Sequence, residues 1–135
     1  MREMGEWVAH VKAQLLDLLL EAVTAEGGDV FSNWMAAALQ PELKASVLEK
    51  VLEGWVLWEA DDLIEDGKIE EAQRLRFLLY HKGLFEAIKA CLELDPNYGE
   101  LAGLAVGLFI KKKEYDKAIK LLKVCKSDGR MFWDT

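Results

Sequence analysis

The spacing of apolar side chains is the feature that most restricts how this chain can fold. From residue 3 to residue 127 they recur at intervals of three and four positions, which is the period of an α-helix that buries one face. Only two prolines, Pro41 and Pro96, interrupt the chain, so long helices meet few breaks. No stretch shows the sustained alternation of apolar and polar residues that favours a strand. The pattern predicts an all-α fold.

Turn signals divide this periodic sequence into seven predicted helices. Gly27-Gly28, Asp66-Gly67 and Asp95-Pro96-Asn97 are strong breaks, because these residue types favour the backbone angles of turns. Pro41 suits the first position of the third helix, where a missing N–H removes no helical hydrogen bond. Gly54 lies inside that helix and predicts either a close helix contact or a mild bend. Short connections predict antiparallel neighbours. The predicted helices span residues 3–25, 30–39, 41–66, 68–82, 84–94, 98–112 and 114–127.

Three segments share one pattern, a short turn followed by an apolar or aromatic residue and then an alanine on an amphipathic helix. They are residues 65–72, 81–88 and 112–119. These segments resemble the tetratricopeptide repeat, in which two helices pack through small residues. Tyr115 and Ala118 match its aromatic and small positions, and Leu94-Asp95-Pro96-Asn97 matches its exit motif. The resemblance covers about residues 51–126.

The match to the repeat is irregular. Ala72, Ala87 and Ala118 are separated by 15 and 31 residues, whereas the family repeats every 34 or so. The resemblance implies antiparallel helical hairpins stacked in a right-handed array over residues 41–127. N-terminal helices at 1–40 and a tail at 128–135 complete a single domain, 1–135. An unrelated closed helical bundle is the alternative, and it would present no concave groove.

A stack of helical hairpins implies a non-enzymatic adaptor or chaperone-like module that binds another protein. Its groove would hold a partner peptide or helix by apolar anchors with a polar rim. A second hypothesis is a structural homodimer joined through tryptophan-rich helices, because tryptophan is enriched at interface hot spots. The candidate groove residues are Arg74, Leu78, Tyr98, Leu101 and Phe109, and the candidate self-association residues are Trp7, Trp34, Trp55 and Trp58.

The sequence offers no pattern for catalysis. The two histidines, His10 and His81, lie in different helices, and a metal site needs three or four ligands. No phosphate-binding loop or nucleophile elbow is present. We therefore expect no enzymatic activity, no cofactor, no metal and no small-molecule substrate.

Charge is unevenly distributed along the chain. The net charge is −7, yet residues 101–135 hold 8 of the 17 basic side chains and 4 of the 24 acidic ones. The acidic total argues against nucleic acid as the main partner. A third hypothesis nevertheless remains, an auxiliary subunit that touches nucleic acid through a row of lysines. This row is Lys113, Lys117, Lys120 and Lys123.

Two further patterns concern location and packing. The N-terminus lacks a signal-peptide layout, and the longest apolar run, Leu101–Ile110, is half of what a bilayer-spanning helix needs. Without a CxxC motif, Cys91 and Cys125 are expected to be free, buried thiols, which favours a cytoplasmic protein without membrane contact. The apolar tail 131–133 should fold back or dock on a partner.

A row of small residues predicts close packing against the fifth or seventh helix, with self-association as the alternative. That row is Gly99, Ala102, Gly103, Val106 and Gly107.

Overall fold

A computed structural model of the chain describes residues 2–24, 28–94 and 99–126. Within these ranges the protein forms seven α-helices and no strand, so the predicted all-α fold and the order of its helices are confirmed. A π-helical turn, Leu78–Lys82, continues the fourth helix. The tail 131–133 and the predicted turn at Asp95-Pro96-Asn97 lie outside the described residues. The helices are α1 (Arg2–Thr24), α2 (Gly28–Ala38), α3 (Ala45–Glu65), α4 (Ile69–Phe77), α5 (Leu84–Leu94), α6 (Gly99–Lys111) and α7 (Tyr115–Lys126).

The start of α3 differs from the prediction. Pro41 does not open this helix; it lies in the preceding turn, where the N–H of Leu43 donates to the carbonyl of Gln40 at 3.1 Å. Lys44 is the N-cap, and its carbonyl accepts the first helical bonds, from Val47 and Leu48 at 3.1 Å each. A proline fits the first turn of a helix and a tight turn equally well, so sequence alone placed the boundary too early.

α6 is the central helix of the fold. Residues 101–109 are all buried, and the helix contacts α2, α3, α5 and α7. A helix that is apolar on every side must be covered on every side, which explains why its sequence shows little amphipathic character. α1 in turn packs against α2 and α7. The N-terminal helices therefore cover the hairpin formed by α6 and α7.

The row of small residues on α6 is a packing seam, but its partner is α2. A Cβ at Gly103 would lie 2.6 Å from the carbonyl oxygen of Phe31 and 2.9 Å from the Cβ of Trp34. A Cβ at Gly107 would lie 2.5 Å from the Cβ of Ala38. The prediction of close packing is confirmed, whereas its assignment to the fifth or seventh helix is wrong. Small residues indicate that a helix approaches closely without identifying which one.

Two of the three similar turn segments share one backbone structure. At the ends of α3 and α6, Gly67 (φ 80°) and Lys113 (φ 62°) adopt the left-handed conformation. In both turns this residue and the next donate N–H bonds of 2.7–3.0 Å to the last turn of the preceding helix, which is the Schellman arrangement. The third segment differs, since Gly83 (φ 110°) ends a π-helical turn and donates to the carbonyl of Leu78 at 2.9 Å.

Candidate partner-binding cleft

The structure does not bring the predicted groove residues together. Arg74 on α4 is exposed and Leu78 is half-buried, but Leu101 is fully buried and Phe109 is only 3 % exposed. Tyr98 lies outside the described residues. Because Leu101 is enclosed and Phe109 lines a cleft that neither Arg74 nor Leu78 lines, the four described residues do not form one open groove.

An open cleft lies instead where the C-terminal end of α6 meets α3, α5 and α7. Its volume is about 190 Å³. Apolar side chains form the floor and charged side chains form the rim, which is the usual arrangement of a site that anchors an apolar group and orients it by polar contacts. The floor is Leu84, Phe85, Leu108 and Phe109 with Gly83, and the rim is Glu49, Lys82, Lys112 and Lys117.

An aromatic pair with a cation beside it forms one side of the cleft. The rings of Phe85 and Phe109 meet edge to face, with centroids 5.5 Å apart and planes at 84°, a favoured geometry for aromatic side chains. The Lys117 ammonium lies 5.9 Å from the Phe85 centroid and 5.8 Å from the Phe109 centroid. At this range the ring quadrupoles attract the cation, so Lys117 is held at the cleft.

Two glutamates organise the lysines of the rim. Lys112 Nζ lies 2.9 Å from Glu49 Oε1 and 3.8 Å from Glu114 Oε2, and Lys117 Nζ lies 3.4 Å from Glu114 Oε1. The hydrogen bond to Glu49, with the two nearby carboxylates, raises the pKa of Lys112 above its ordinary value. The three lysines Lys82, Lys112 and Lys117 outnumber Glu49 and Glu114, so the cleft keeps an excess of positive charge.

The end of α6 fixes this arrangement. Lys111 Nζ donates to the carbonyl of Gln40 at 2.8 Å and to the carbonyl of Leu43, which ties the connection before α3 to the end of α6. The Schellman turn at Lys113 then reverses the chain. The reversal lets Lys112, Glu114 and Lys117, neighbours in sequence, join in one ionic cluster.

The predicted lysine row is not one free face. Lys113 lies in the turn, Lys117 is held at the cleft, and only Lys120 and Lys123 are exposed on α7 itself. The sequence places Lys117 in the candidate nucleic-acid row and does not single out Lys82, Glu49 or Phe85. The repeated turn was the one available signal, because it indicated that residues on either side of Lys113 lie close together.

The tryptophans fall in different environments. Trp58 is the most exposed of those described, at 62 %, while Trp34 is 40 % exposed beside the α2–α6 seam. Trp55 is half-buried against the core. The side chain of Trp7 lies outside the described residues. The four predicted self-association residues therefore do not behave as one group, and Trp58 is the one presented most openly.

The two cysteine thiols are unreactive. Cys91 and Cys125 are free and buried, as predicted. Burial raises the pKa of each thiol to about 12, with the charge of Glu59 adding to the effect at Cys91, so at neutral pH both are protonated and poor nucleophiles. Among the residues described, no three His, Cys, Asp or Glu side chains are grouped to hold a metal ion.

The fold and the cleft define an all-α protein with a small cleft lined by both apolar and charged side chains. Within the described ranges, none of its helices has the length and apolar character required to cross a bilayer. No family model matches the sequence, and no curated protein or solved structure is significantly similar to it.

Proposed function

We propose that the protein is a non-enzymatic interaction module that binds a peptide segment of another protein in the cleft between α3, α5, α6 and α7. The observation that supports this most is the convergence of Lys82, Lys112 and Lys117 around the aromatic pair Phe85 and Phe109. Fixed apolar contacts with a charged rim are what peptide-binding sites use to gain affinity and to set register.

The dimensions and charge of the cleft suggest the kind of peptide. A volume of about 190 Å³ lies below the range of roughly 300–1,000 Å³ that small-molecule sites occupy, and it suits one anchoring side chain. The excess of lysines favours a carboxylate next to that anchor. The preferred ligand is therefore an apolar or aromatic residue beside an aspartate or glutamate.

The tetratricopeptide-like interpretation is part of this proposal. The equal Schellman turns at Gly67 and Lys113 support a relationship between the α3–α4 and α6–α7 hairpins. The packing of α2 against α6 has no counterpart in a simple stack, where each repeat contacts its neighbours. The binding site proposed here lies at the junction of helix ends. The buried, free thiols Cys91 and Cys125 support a cytoplasmic location.

Peptide selection tests the proposal directly. A random peptide library is selected against the wild type, and the recovered peptides are titrated by fluorescence polarisation. Acidic peptides with one apolar anchor should be enriched, and Lys117→Met should weaken them by about tenfold, since a charge-assisted contact contributes roughly 1.5–3 kcal/mol.

Lys120→Met is the matched control, because Lys120 is exposed on the same helix but does not line the cleft. It should bind like the wild type. Recovered peptides without acidic residues, or equal binding by Lys117→Met and Lys120→Met, would contradict the proposal.

A further inference from the structure

The helix α3 carries a second regular row of residues on the side facing away from its buried face. The buried face is made by Leu48, Leu52, Val56, Ala60 and Leu63. The second row follows alternating steps of three and four residues, the period that keeps one side of a helix in line. This outer row is Lys44, Val47, Val51, Gly54, Trp58, Asp61 and Glu65.

The middle of the outer row is apolar and exposed. Val47 and Val51 are each 49 % exposed, and Trp58 is 62 % exposed. A surface helix ordinarily presents its apolar stripe to the core and polar residues to water. α3 therefore carries two apolar stripes, one buried in the core and one open, and the open stripe is available to a partner.

Gly54 lies at the centre of the outer row, and no contact within the chain requires a glycine at this position. A Cβ at this position would meet nothing within 4 Å. Glycine inside a helix costs about 1 kcal/mol relative to alanine, and here no neighbour within the protein requires it. A glycine does allow the backbone of another helix to approach closely, which fits a helix crossing at this point.

The charges at the two ends of the outer row point to a second copy of this chain as the partner that covers it. The row begins with the cation Lys44 and ends with the anions Asp61 and Glu65. When an identical helix lies antiparallel, Lys44 faces Glu65 of the other copy and Val51 faces its Trp58. Asp61 already pairs with Arg76 within the chain, so Glu65 is the anion left for this contact.

We propose that two copies of this chain associate through the outer rows of α3, antiparallel and related by a two-fold axis. Reversed on itself, the row matches at five of its seven positions, with Lys44 opposite Glu65, Val51 opposite Trp58 and Gly54 opposite Gly54. Val47 and Asp61 are the unlike pair, and Asp61 is neutralised by Arg76. This match supports an isologous interface. The helix has 21 residues and is about 30 Å long, but its open apolar part is short. The association is therefore weak and reversible, below the standard interface size of roughly 1,200–2,000 Å².

Charge exchange tests the pairing. Sedimentation equilibrium of the wild type, from about 1 µM upward, should show a dimer fraction that increases with concentration. Lys44→Glu and Glu65→Lys alone each place like charges opposite one another at both ends, and each should weaken the dimer by about tenfold. The double variant K44E/E65K restores opposite charges and should return the dissociation constant to within about threefold of the wild type.

The single variants also separate association from folding. An acid at the start of a helix and a cation at its end both favour the helix dipole, so neither change should lower the thermal midpoint of the monomer. A wild type that stays monomeric at all concentrations, or a double variant no better than the singles, would overturn the proposal.

This interface is independent of the peptide-binding cleft, which none of the outer-row residues lines. Lys117→Met should therefore leave the sedimentation profile unchanged, and K44E/E65K should leave peptide affinity unchanged. Tyr80→Ser removes an aromatic ring that is 67 % exposed elsewhere on the surface, and it serves as the control for general surface stickiness. A Tyr80→Ser dimer as weak as that of Lys44→Glu would count against α3.

Discussion

Lys113 adopts a backbone conformation that is unfavourable for a residue other than glycine. It is the only residue other than glycine with a positive φ, 62°, in the described part of the chain, and the left-handed region costs L-residues roughly 1–2 kcal/mol. The equivalent position of the other Schellman turn is Gly67 (φ 80°). This backbone strain lies in the turn that brings the rim lysines Lys112 and Lys117 together.

Replacing this lysine tests that account. Lys113→Gly should stabilise the protein by about 0.5–1 kcal/mol, because the strain relieved exceeds the added freedom of the unfolded chain. Urea unfolding with an unchanged m-value measures the gain. Lys120→Gly, at an exposed position inside α7, should instead cost about 1 kcal/mol. A loss of stability in both variants would mean that the turn at Lys113 is not left-handed in solution.

At the scale of elements, the local part of the fold was readable from sequence and the pairing of helices was not. Apolar periodicity and glycine turns are properties of neighbouring residues, so the helices were predicted with ends close to those observed, except at Pro41. The partner of the α6 glycines depends on the whole packing arrangement, and α2 was not foreseen. The cleft was missed for the same reason, since Glu49, Phe85 and Lys117 meet only in the folded chain.

The seam between α2 and α6 should respond to a single methyl group. Gly103→Ala places a Cβ 2.6 Å from the Phe31 carbonyl oxygen, so α2 must shift, at a cost of about 1–3 kcal/mol. Gly54→Ala meets nothing within 4 Å and should gain about 1 kcal/mol from helix propensity. Thermal unfolding at low concentration, where α3 pairing is absent, compares the two variants. Equal stability of both would show that α2 does not pack closely on α6.

Across the whole molecule, the contact of α2 with α6 decides whether the chain behaves as a stack or as a closed bundle. In a stack, each hairpin contacts only its neighbours, and shortening the array leaves the rest folded. Here α6 is buried along residues 101–109 and depends on α2 for one of its sides. A chain lacking residues 1–44 would expose the glycine face of α6, the helix that contains Phe109. No other described helix covers that apolar surface.

We therefore expect the chain 45–135 to lose its cooperative unfolding transition, as followed by helical circular dichroism in urea. Adding the peptide 1–44 in trans should restore the transition, because α1 and α2 would again cover α7 and α6. A shorter removal from the other end, residues 127–135, tests whether truncation as such is harmful. If the chain 45–135 unfolds cooperatively by itself, with an m-value in proportion to its length, its hairpins are self-sufficient. The cleft would then lie at the end of a repeat stack, and peptide binding should survive the truncation. If the transition returns only with 1–44 present, α6 is positioned by the N-terminal helices, and the geometry of Phe109 and Lys112 at the cleft depends on them as well.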